Sequence, residues 1–167
     1  MTKTKTITFT ALMAALAIVM STPPLTIPIP IGTYTTTIHF FQLPIYLCAI
    51  LAGPYAGAIS GAIGSLYMSA TTRIPFIIGG IAILGASTGL LAKKLRPLYA
   101  GTLAWLIQAP YVIITDYIWF TTFAGTPSTV AWGLITPIMI NLTLEALICA
   151  TLADIIIHYI KRAGISF

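Results

Sequence analysis

Three acidic side chains are the residues best suited to chemistry, because each lies in or beside an apolar run: Asp116, Glu145 and Asp154. A carboxylate at mid-membrane is costly, so it normally faces the protein interior or a wet cavity. Asn141 and Glu145 are four residues apart and share one helix face. At about 1.5 Å per helical residue, Asn141 lies near the depth of Asp116, and Glu145 lies one turn deeper. Two acids and an amide around an outward-facing cavity would suit an amine or a protonated ring nitrogen.

Each acid also has a purely structural interpretation. Asp116 could pair with one of two cations, Arg73 or His39. Arg73 is also a candidate substrate-binding residue, and if it reaches over the cavity it would neutralise Asp116. Glu145 could join two helices by a hydrogen bond. Asp154 lies near the basic end of the last apolar run and is better explained as a solvated or paired surface group.

Aromatic side chains extend the candidate site on the same side. Tyr34 lies in the first outer loop, Trp119 near the end of the fifth apolar run, and Trp132 at the start of the sixth. Such residues stack on flat heterocycles, but Trp and Tyr also form interfacial belts that have no other function. His39 could donate a hydrogen bond to a ligand or cap the second helix.

The elements that must position these residues are predicted to be membrane helices. The sequence is 58% hydrophobic and 7% charged, whereas a soluble domain has roughly 25% charged residues. A spanning helix needs about 20 apolar residues. The sequence therefore predicts an all-α membrane protein with one integral domain, residues 1–167, and six transmembrane helices at about residues 7–20, 38–52, 55–70, 76–92, 98–122 and 132–159. Four prolines between the first two runs predict a long, extended outer loop.

The basic residues predict an orientation. Seven of the eight fall where one cytoplasmic surface would place them, before the first run, after the fourth and after the sixth: Lys3, Lys5, Lys93, Lys94, Arg96, Lys161 and Arg162. Positively charged loops stay in the cytoplasm, so both termini are predicted to be cytoplasmic. Arg73 is the exception and lies in a short outer turn.

Small residues predict where helices touch. Glycines recur along the third and fourth apolar runs, at spacings that allow close backbone approach. Ala11, Ala14 and Ala15 form a smooth patch on the first helix, for which internal packing and a partner-docking surface are both open interpretations.

No enzymatic motif supports catalysis. The sequence has no Gly-x-x-x-x-Gly-Lys phosphate loop and no His-Glu zinc signature. Cys48 and Cys149 lie inside apolar runs and lack the spacing to His of zinc ligands. We therefore do not expect an enzyme, a metal site or a cofactor bound by this chain.

Several segments together resemble the substrate-binding S components of energy-coupling factor (ECF) transporters, which import vitamins and related micronutrients. The resemblance covers the whole chain. It depends on the size and the six spans, on the Pro-rich first outer loop, and on two segments, Thr-Ala-Leu-Met-Ala-Ala-Leu-Ala at residues 10–17 and Leu-Ala-Gly-Pro-Tyr-Ala-Gly-Ala-Ile-Ser-Gly at residues 51–61.

The resemblance implies partners, a location and a mechanism. The alanine face of the first helix, Ala11 and Ala15 here, would dock on a membrane coupling subunit driven by two cytoplasmic ATPases, which use the ATP. The protein would lie in a prokaryotic plasma membrane, take no nucleic acid, and topple to release its cargo inside. The substrate would bind near the outer surface under the first loop, at positions that map to Tyr34 to Thr37, Asp116, Trp119, Trp132, Asn141 and Glu145.

The charges favour a cationic or neutral ring compound such as thiamin, its pyrimidine precursor or a pyridoxine-like molecule, since two acids would repel a carboxylate such as that of biotin. Two alternatives of other classes stay open. One is a six-span membrane scaffold that determines cell shape and needs no polar pocket. The other is a cation pathway through Asp116 and Glu145, which is weaker because no further ionisable residue continues the line inward before Asp154.

Overall fold

The computed structural model describes residues 2–23, 25–31 and 34–164, with side chains for all of these except residues 29–31 and 34–36. The chain is mainly helical. Its elements in order are α1 (Lys3–Met20), β1 (Thr26–Ile31), β2 (Tyr34–His39), α2 (Gln42–Ala52), α3 (Pro54–Gly64), α4 (Leu66–Thr72), α5 (Phe76–Leu91), α6 (Pro97–Ile118), a π-helical turn (Trp119–Phe123) and α7 (Ser128–Arg162).

Three of the described helices are long and apolar enough to cross a membrane. They are α1 with 18 residues, α6 with its π-helical turn (27 residues together), and α7 with 35. The helices α2 and α5 are apolar but shorter. The mainly helical fold is thus confirmed, with three helices of the length and composition of membrane spans, and the number of spans stays a prediction.

The first outer loop is a β-hairpin, so the prediction of an all-α fold was wrong in this segment. Strands β1 and β2 pair antiparallel from Thr26–His39 to Ile31–Tyr34. Pro28 and Pro30 are compatible with β1 because this strand pairs on one side only, and a proline without an N–H is tolerated where the ladder needs no donor. The prolines explain why the loop is extended, but they do not explain why its first half pairs with the β-branched residues of β2.

Helix boundaries also differ from the prediction, most clearly in the second and third apolar runs. The second apolar run was expected to be helical from residue 38, but Ile38 and His39 belong to β2, and α2 begins at Gln42. The third run was expected to be one helix over residues 55–70. It is interrupted at Ser65, whose hydroxyl donates to the carbonyl of Ala62 (3.1 Å), and α4 then continues to Thr72.

Glycines bring the helices into close contact, as their spacing predicted. A Cβ at Gly57 would overlap the carbonyl oxygen of Gly85 on α5, and one at Gly61 would overlap that of Ile81. The face of α3 that carries these glycines therefore packs directly on the backbone of α5. On the other side of the core, a Cβ at Gly101 of α6 would lie 2.9 Å from the Cβ of Ala150 on α7. These contacts fix α5, α6 and α7 around the candidate site.

Candidate functional site

A cavity of about 240 Å³ lies between strand β2 and helices α4, α5, α6 and α7. Its lining is mainly apolar, with a small number of polar groups, as is typical of small-molecule sites. The lining residues are Thr37, His39, Phe41, Met68, Thr72, Ile74, Phe76, Ile77, Gly80, Ile81, Gln108, Tyr111, Val112, Thr115, Asp116, Ile138, Asn141, Leu142 and Glu145.

Two polar residues of α6 mark the limits of the cavity along this helix. Gln108 is the lining residue of α6 nearest the α5–α6 loop, and Asp116 is the one nearest the π-helical turn. Apolar residues, among them Ile77 and Val112, lie between these levels. We call the end marked by Gln108, Ile81 and Glu145 the inner end, and the end marked by Asp116 the outer end. A ligand with an apolar middle and polar extremities matches this arrangement.

Glu145 is completely buried and joins α7 to the hairpin. Its Oε1 accepts hydrogen bonds from the backbone N–H of His39 (2.7 Å), from Nδ2 of Asn141 (3.2 Å) and, as an ion pair if the ring is protonated, from Nδ1 of His39 (3.2 Å). Asn141 also donates to the backbone carbonyl of Thr37 (3.0 Å). The predicted shared face of Asn141 and Glu145 thus lies against β2. Among the described residues, Oε2 of Glu145 has no hydrogen-bond partner.

His39 is held from both ring nitrogens. Nε2 lies 3.1 Å from the hydroxyl of Thr37, while Nδ1 faces Glu145. A neutral ring protonated on Nδ1 satisfies both contacts, because it donates to the carboxylate and accepts from the hydroxyl. His39 does not act as a simple helix cap, since α2 begins three residues later.

Asp116 lines the outer end and is 6% exposed. Within the described part of the chain, its carboxylate has no ion pair and no side-chain hydrogen bond. Arg73, one of its two expected partners, is exposed in a left-handed conformation (φ 61°) after α4 and does not line the cavity. His39 pairs with Glu145 instead. The carboxylate of Asp116 is therefore available to a ligand.

Both predicted tryptophans lie outside the cavity wall. Trp119 stacks on Phe123 within the π-helical turn, with ring centroids 5.2 Å apart. Trp132 is 49% exposed and contacts Tyr117 (5.4 Å between centroids), which suits the interfacial-belt interpretation. The side chain of Tyr34, another predicted site residue, lies outside the described residues.

Gln108 is a lining residue that is not among the candidates predicted from the sequence. It is 2% exposed, and its Oε1 has no hydrogen-bond partner among the described residues. The signal available in the sequence was an amide inside an otherwise apolar run, since a polar group is costly in an apolar environment unless it is hydrogen-bonded.

The predicted docking patch of α1 (Ala11, Ala14 and Ala15) lies partly on an exposed face of the helix and partly on its buried face. Ala11 and Ala15 are exposed, but Ala14 is 2% exposed and packs inside the bundle, so its assignment to a docking surface was wrong. Ala17 behaves in the same way, because a Cβ at Gly64 would lie 2.6 Å from its own Cβ. The face that remains free for a partner is centred on Ala11 and Ala15.

Asp154 is a paired surface group, but its partner differs from the expected neighbours at the end of α7. Its Oδ2 accepts from Nη2 of Arg96 at 3.3 Å. The arginine side chain is 74% exposed, so this pair contributes little to stability.

Within the described ranges, no group of three His, Cys, Asp or Glu side chains could hold a metal ion. Cys48 and Cys149 are free and buried.

The comparison with protein families identifies the chain. A family model described as "ECF-type riboflavin transporter, S component" matches residues 1–165. No match was found among curated proteins or among solved structures. This is a transporter family and not an enzyme family. The match therefore gives no support to the alternative function of a membrane scaffold. S components are the substrate-binding membrane subunits of importers, and this chain belongs to the family of ECF-type riboflavin transporter S components.

Proposed function

We propose that this chain binds riboflavin or a closely related flavin in the cavity between β2 and helices α4 to α7, and delivers it to an ECF importer. The observation that carries the proposal is the cavity itself, with its apolar middle and polar ends, in a chain of the riboflavin-type family. Riboflavin has a flat ring system with an apolar benzenoid part, a polar pyrimidinedione edge and a polyhydroxylated chain. The same division into apolar and polar parts is found in the cavity wall.

The acceptors of the cavity suit the donors of a flavin. The hydroxyl groups of the side chain could donate to Asp116 at the outer end, and the ring would lie between the isoleucine and valine side chains of the middle. A neutral ligand also agrees with Glu145, whose Oε1 is already engaged by His39 and Asn141. Of the two lining acids, Asp116 is the one whose carboxylate has neither oxygen bonded within the described part of the chain, whereas Glu145 has its Oε1 engaged.

A cationic vitamin such as thiamin is the second candidate, and the free carboxylate of Asp116 is the observation in its favour. It would place a positive ring or amine beside a buried acid that has no described protein cation. The two candidates differ in their dependence on this charge. Removal of one acceptor from a neutral ligand costs affinity modestly, whereas removal of the counter-charge of a buried cation costs much more.

The remaining parts of the proposal follow from the family. The protein would cross a prokaryotic plasma membrane six times with both termini in the cytoplasm. Its partners would be a membrane coupling subunit and two ATPases, which would use the ATP, so that this chain itself would need no cofactor. The hairpin β1–β2, tied to α7 through Glu145, would be the movable wall of the site.

Titration in mild detergent tests the substrate. Riboflavin fluorescence should be quenched on addition of protein, with one site per chain, and excess thiamin or pyridoxine should not restore it. Asp116→Asn should weaken riboflavin binding by roughly 10-fold or less. A different result would favour a cationic substrate: riboflavin fluorescence stays unquenched, thiamin binds tightly, and Asp116→Asn abolishes the binding of thiamin. Unchanged affinity in both Asp116→Asn and Glu145→Gln would eliminate a cationic substrate.

A blocked cavity provides the control for location. Val112→Phe adds volume to the lining of α6 and should abolish quenching. Ile114→Phe makes a comparable change on the same helix, at a side chain that is 59% exposed, and should leave quenching intact. Equal effects of the two variants would place the flavin elsewhere.

A further inference from the structure

The inner end of the cavity contains a buried amide that protein groups leave incompletely bonded. Gln108 is 2% exposed and lines the cavity, and its Oε1 has no hydrogen-bond partner in the described part of the chain. An unpaired buried acceptor is costly, and most such groups in folded proteins have a partner. A ligand in the cavity is the natural source of that partner.

The surroundings of Gln108 leave space for this amide and do not bond its oxygen. Gly80 of α5 faces it, and a Cβ at Gly80 would lie 3.2 Å from Nε2 of Gln108 and 3.4 Å from the ring of Tyr111. The hydroxyl of Tyr111 is engaged elsewhere, because it donates to the backbone carbonyl of Phe76 (3.3 Å). The missing side chain at Gly80 thus leaves room for the amide, and the neighbouring tyrosine does not satisfy it.

We propose that Gln108 is a specificity-determining residue that recognises an imide edge, the adjacent N–H and C=O of a ring such as the pyrimidinedione of a flavin. This inference rests on the proposed function, since it orients the flavin with its polar ring edge at the inner end. A side-chain amide offers one acceptor and two donor hydrogens. It can therefore accept from the ring N–H and donate to the adjacent carbonyl.

The polar groups around Glu145 cannot do the same. Asn141, the other lining amide, already donates to the backbone carbonyl of Thr37 and to Oε1 of Glu145. Glu145, when ionised, only accepts hydrogen bonds, and its Oε1 is occupied by His39 and Asn141. Its Oε2 could take one N–H but could not match a paired donor and acceptor. Gln108 is the lining group at this end whose chemistry complements both atoms of an imide.

The experiment combines a protein change with a ligand change. Wild-type protein and Gln108→Leu are titrated with riboflavin and with riboflavin methylated at the ring imide nitrogen, which has lost the N–H. Wild type should prefer riboflavin by roughly 10- to 100-fold. Gln108→Leu should lose most of this preference, because its affinity for riboflavin falls while its affinity for the methylated compound changes little.

A second buried glutamine supplies the matched control. Gln42 of α2 is 0% exposed and does not line the cavity, so Gln42→Leu should keep the wild-type ratio of the two affinities. Gln108→Met, which keeps the side-chain length, repeats the test if Gln108→Leu does not fold. If a variant at position 108 keeps the wild-type ratio of the affinities for riboflavin and the methylated compound, the role of Gln108 is overturned and the proposed function still stands. Wild-type protein that binds neither flavin overturns both.

Discussion

At the scale of single residues, Glu145 shows how an acid in a membrane helix can hold a neighbouring element in place. Three donors converge on its Oε1, and two of them come from His39, which lies 106 positions earlier in the chain. The network attaches the end of β2 to the middle of α7. This acid is thus engaged before any ligand arrives, whereas Asp116 is not.

Replacement of Glu145 should loosen the hairpin. In Glu145→Ala the part-buried N–H of His39 loses its acceptor, at a cost of about 1 kcal/mol or more, and amide hydrogen exchange in residues 37–41 should become faster. Glu145→Gln keeps one oxygen and should have a smaller effect. Asp154→Ala removes an acid of the same helix that pairs with exposed Arg96 and should leave exchange in the hairpin unchanged. Equal protection in wild type and Glu145→Ala would contradict the anchoring role.

The sequence supported only part of this site. Asp116, Asn141 and Glu145 could be selected because polar groups in apolar runs are costly, and helical spacing placed the last two on one face. The contact to His39 could not be predicted, because it depends on how β2 lies against α7. Arg73 was selected for its charge, but the left-handed turn after α4 leaves it exposed.

At the scale of elements, the hairpin and the glycine contacts determine the shape of the cavity wall. Apolar length predicted the helices well and the hairpin poorly, since prolines in an outer loop suggest an extended chain without indicating what it pairs with. The available signal was the Gly32-Thr33 dipeptide between two runs rich in β-branched residues. Gly32-Thr33 itself lies outside the described residues.

The contact between α3 and α5 should tolerate no additional side chain. Gly85→Ala would place a Cβ against the backbone of Gly57, so we expect a loss of stability of about 1–3 kcal/mol or more, measured as a lower Tm in detergent. Gly133→Ala on α7 meets nothing within 4 Å and should be neutral or stabilising by about 0.5–1 kcal/mol. A Gly85→Ala protein as stable as Gly133→Ala would show that the two helices do not pack this closely.

The exposed face of α1 should matter for assembly and not for substrate binding. Ala15→Leu enlarges a side chain that points away from the bundle, and we expect it to reduce co-purification of the coupling subunit while riboflavin affinity is retained. Ala70→Leu makes the same change at an exposed position of α4 and serves as the control. Unimpaired assembly of Ala15→Leu would exclude this face as the docking surface.

At the scale of the whole molecule, the charge distribution and the cavity together imply a direction of transport. The basic α5–α6 loop lies on the same side as the inner end of the cavity, about three turns of α6 beyond Gln108. The π-helical turn follows directly after Asp116 at the outer end. If basic loops are cytoplasmic, the outer end with Asp116 opens toward the exterior. Substrate would then enter at the end where this carboxylate is free.

Labelling with a membrane-impermeant maleimide tests this orientation. Cys48 and Cys149 are buried and are first replaced by alanine. In intact cells, Ala124→Cys in the turn before α7 should be labelled, whereas Lys94→Cys in the basic loop should react only after lysis. The reverse labelling pattern would show that the orientation is opposite to the predicted one and that Asp116 lies on the cytoplasmic side.

The most direct test of the central claim is native mass spectrometry of the protein purified in mild detergent after growth with riboflavin. We expect a one-to-one adduct with the mass of a flavin in wild type and in Ile114→Phe, and none in Val112→Phe, because only the last variant fills the cavity. Wild-type protein without a flavin adduct, or a flavin retained equally by Val112→Phe, would contradict the assignment of this cavity as the flavin site.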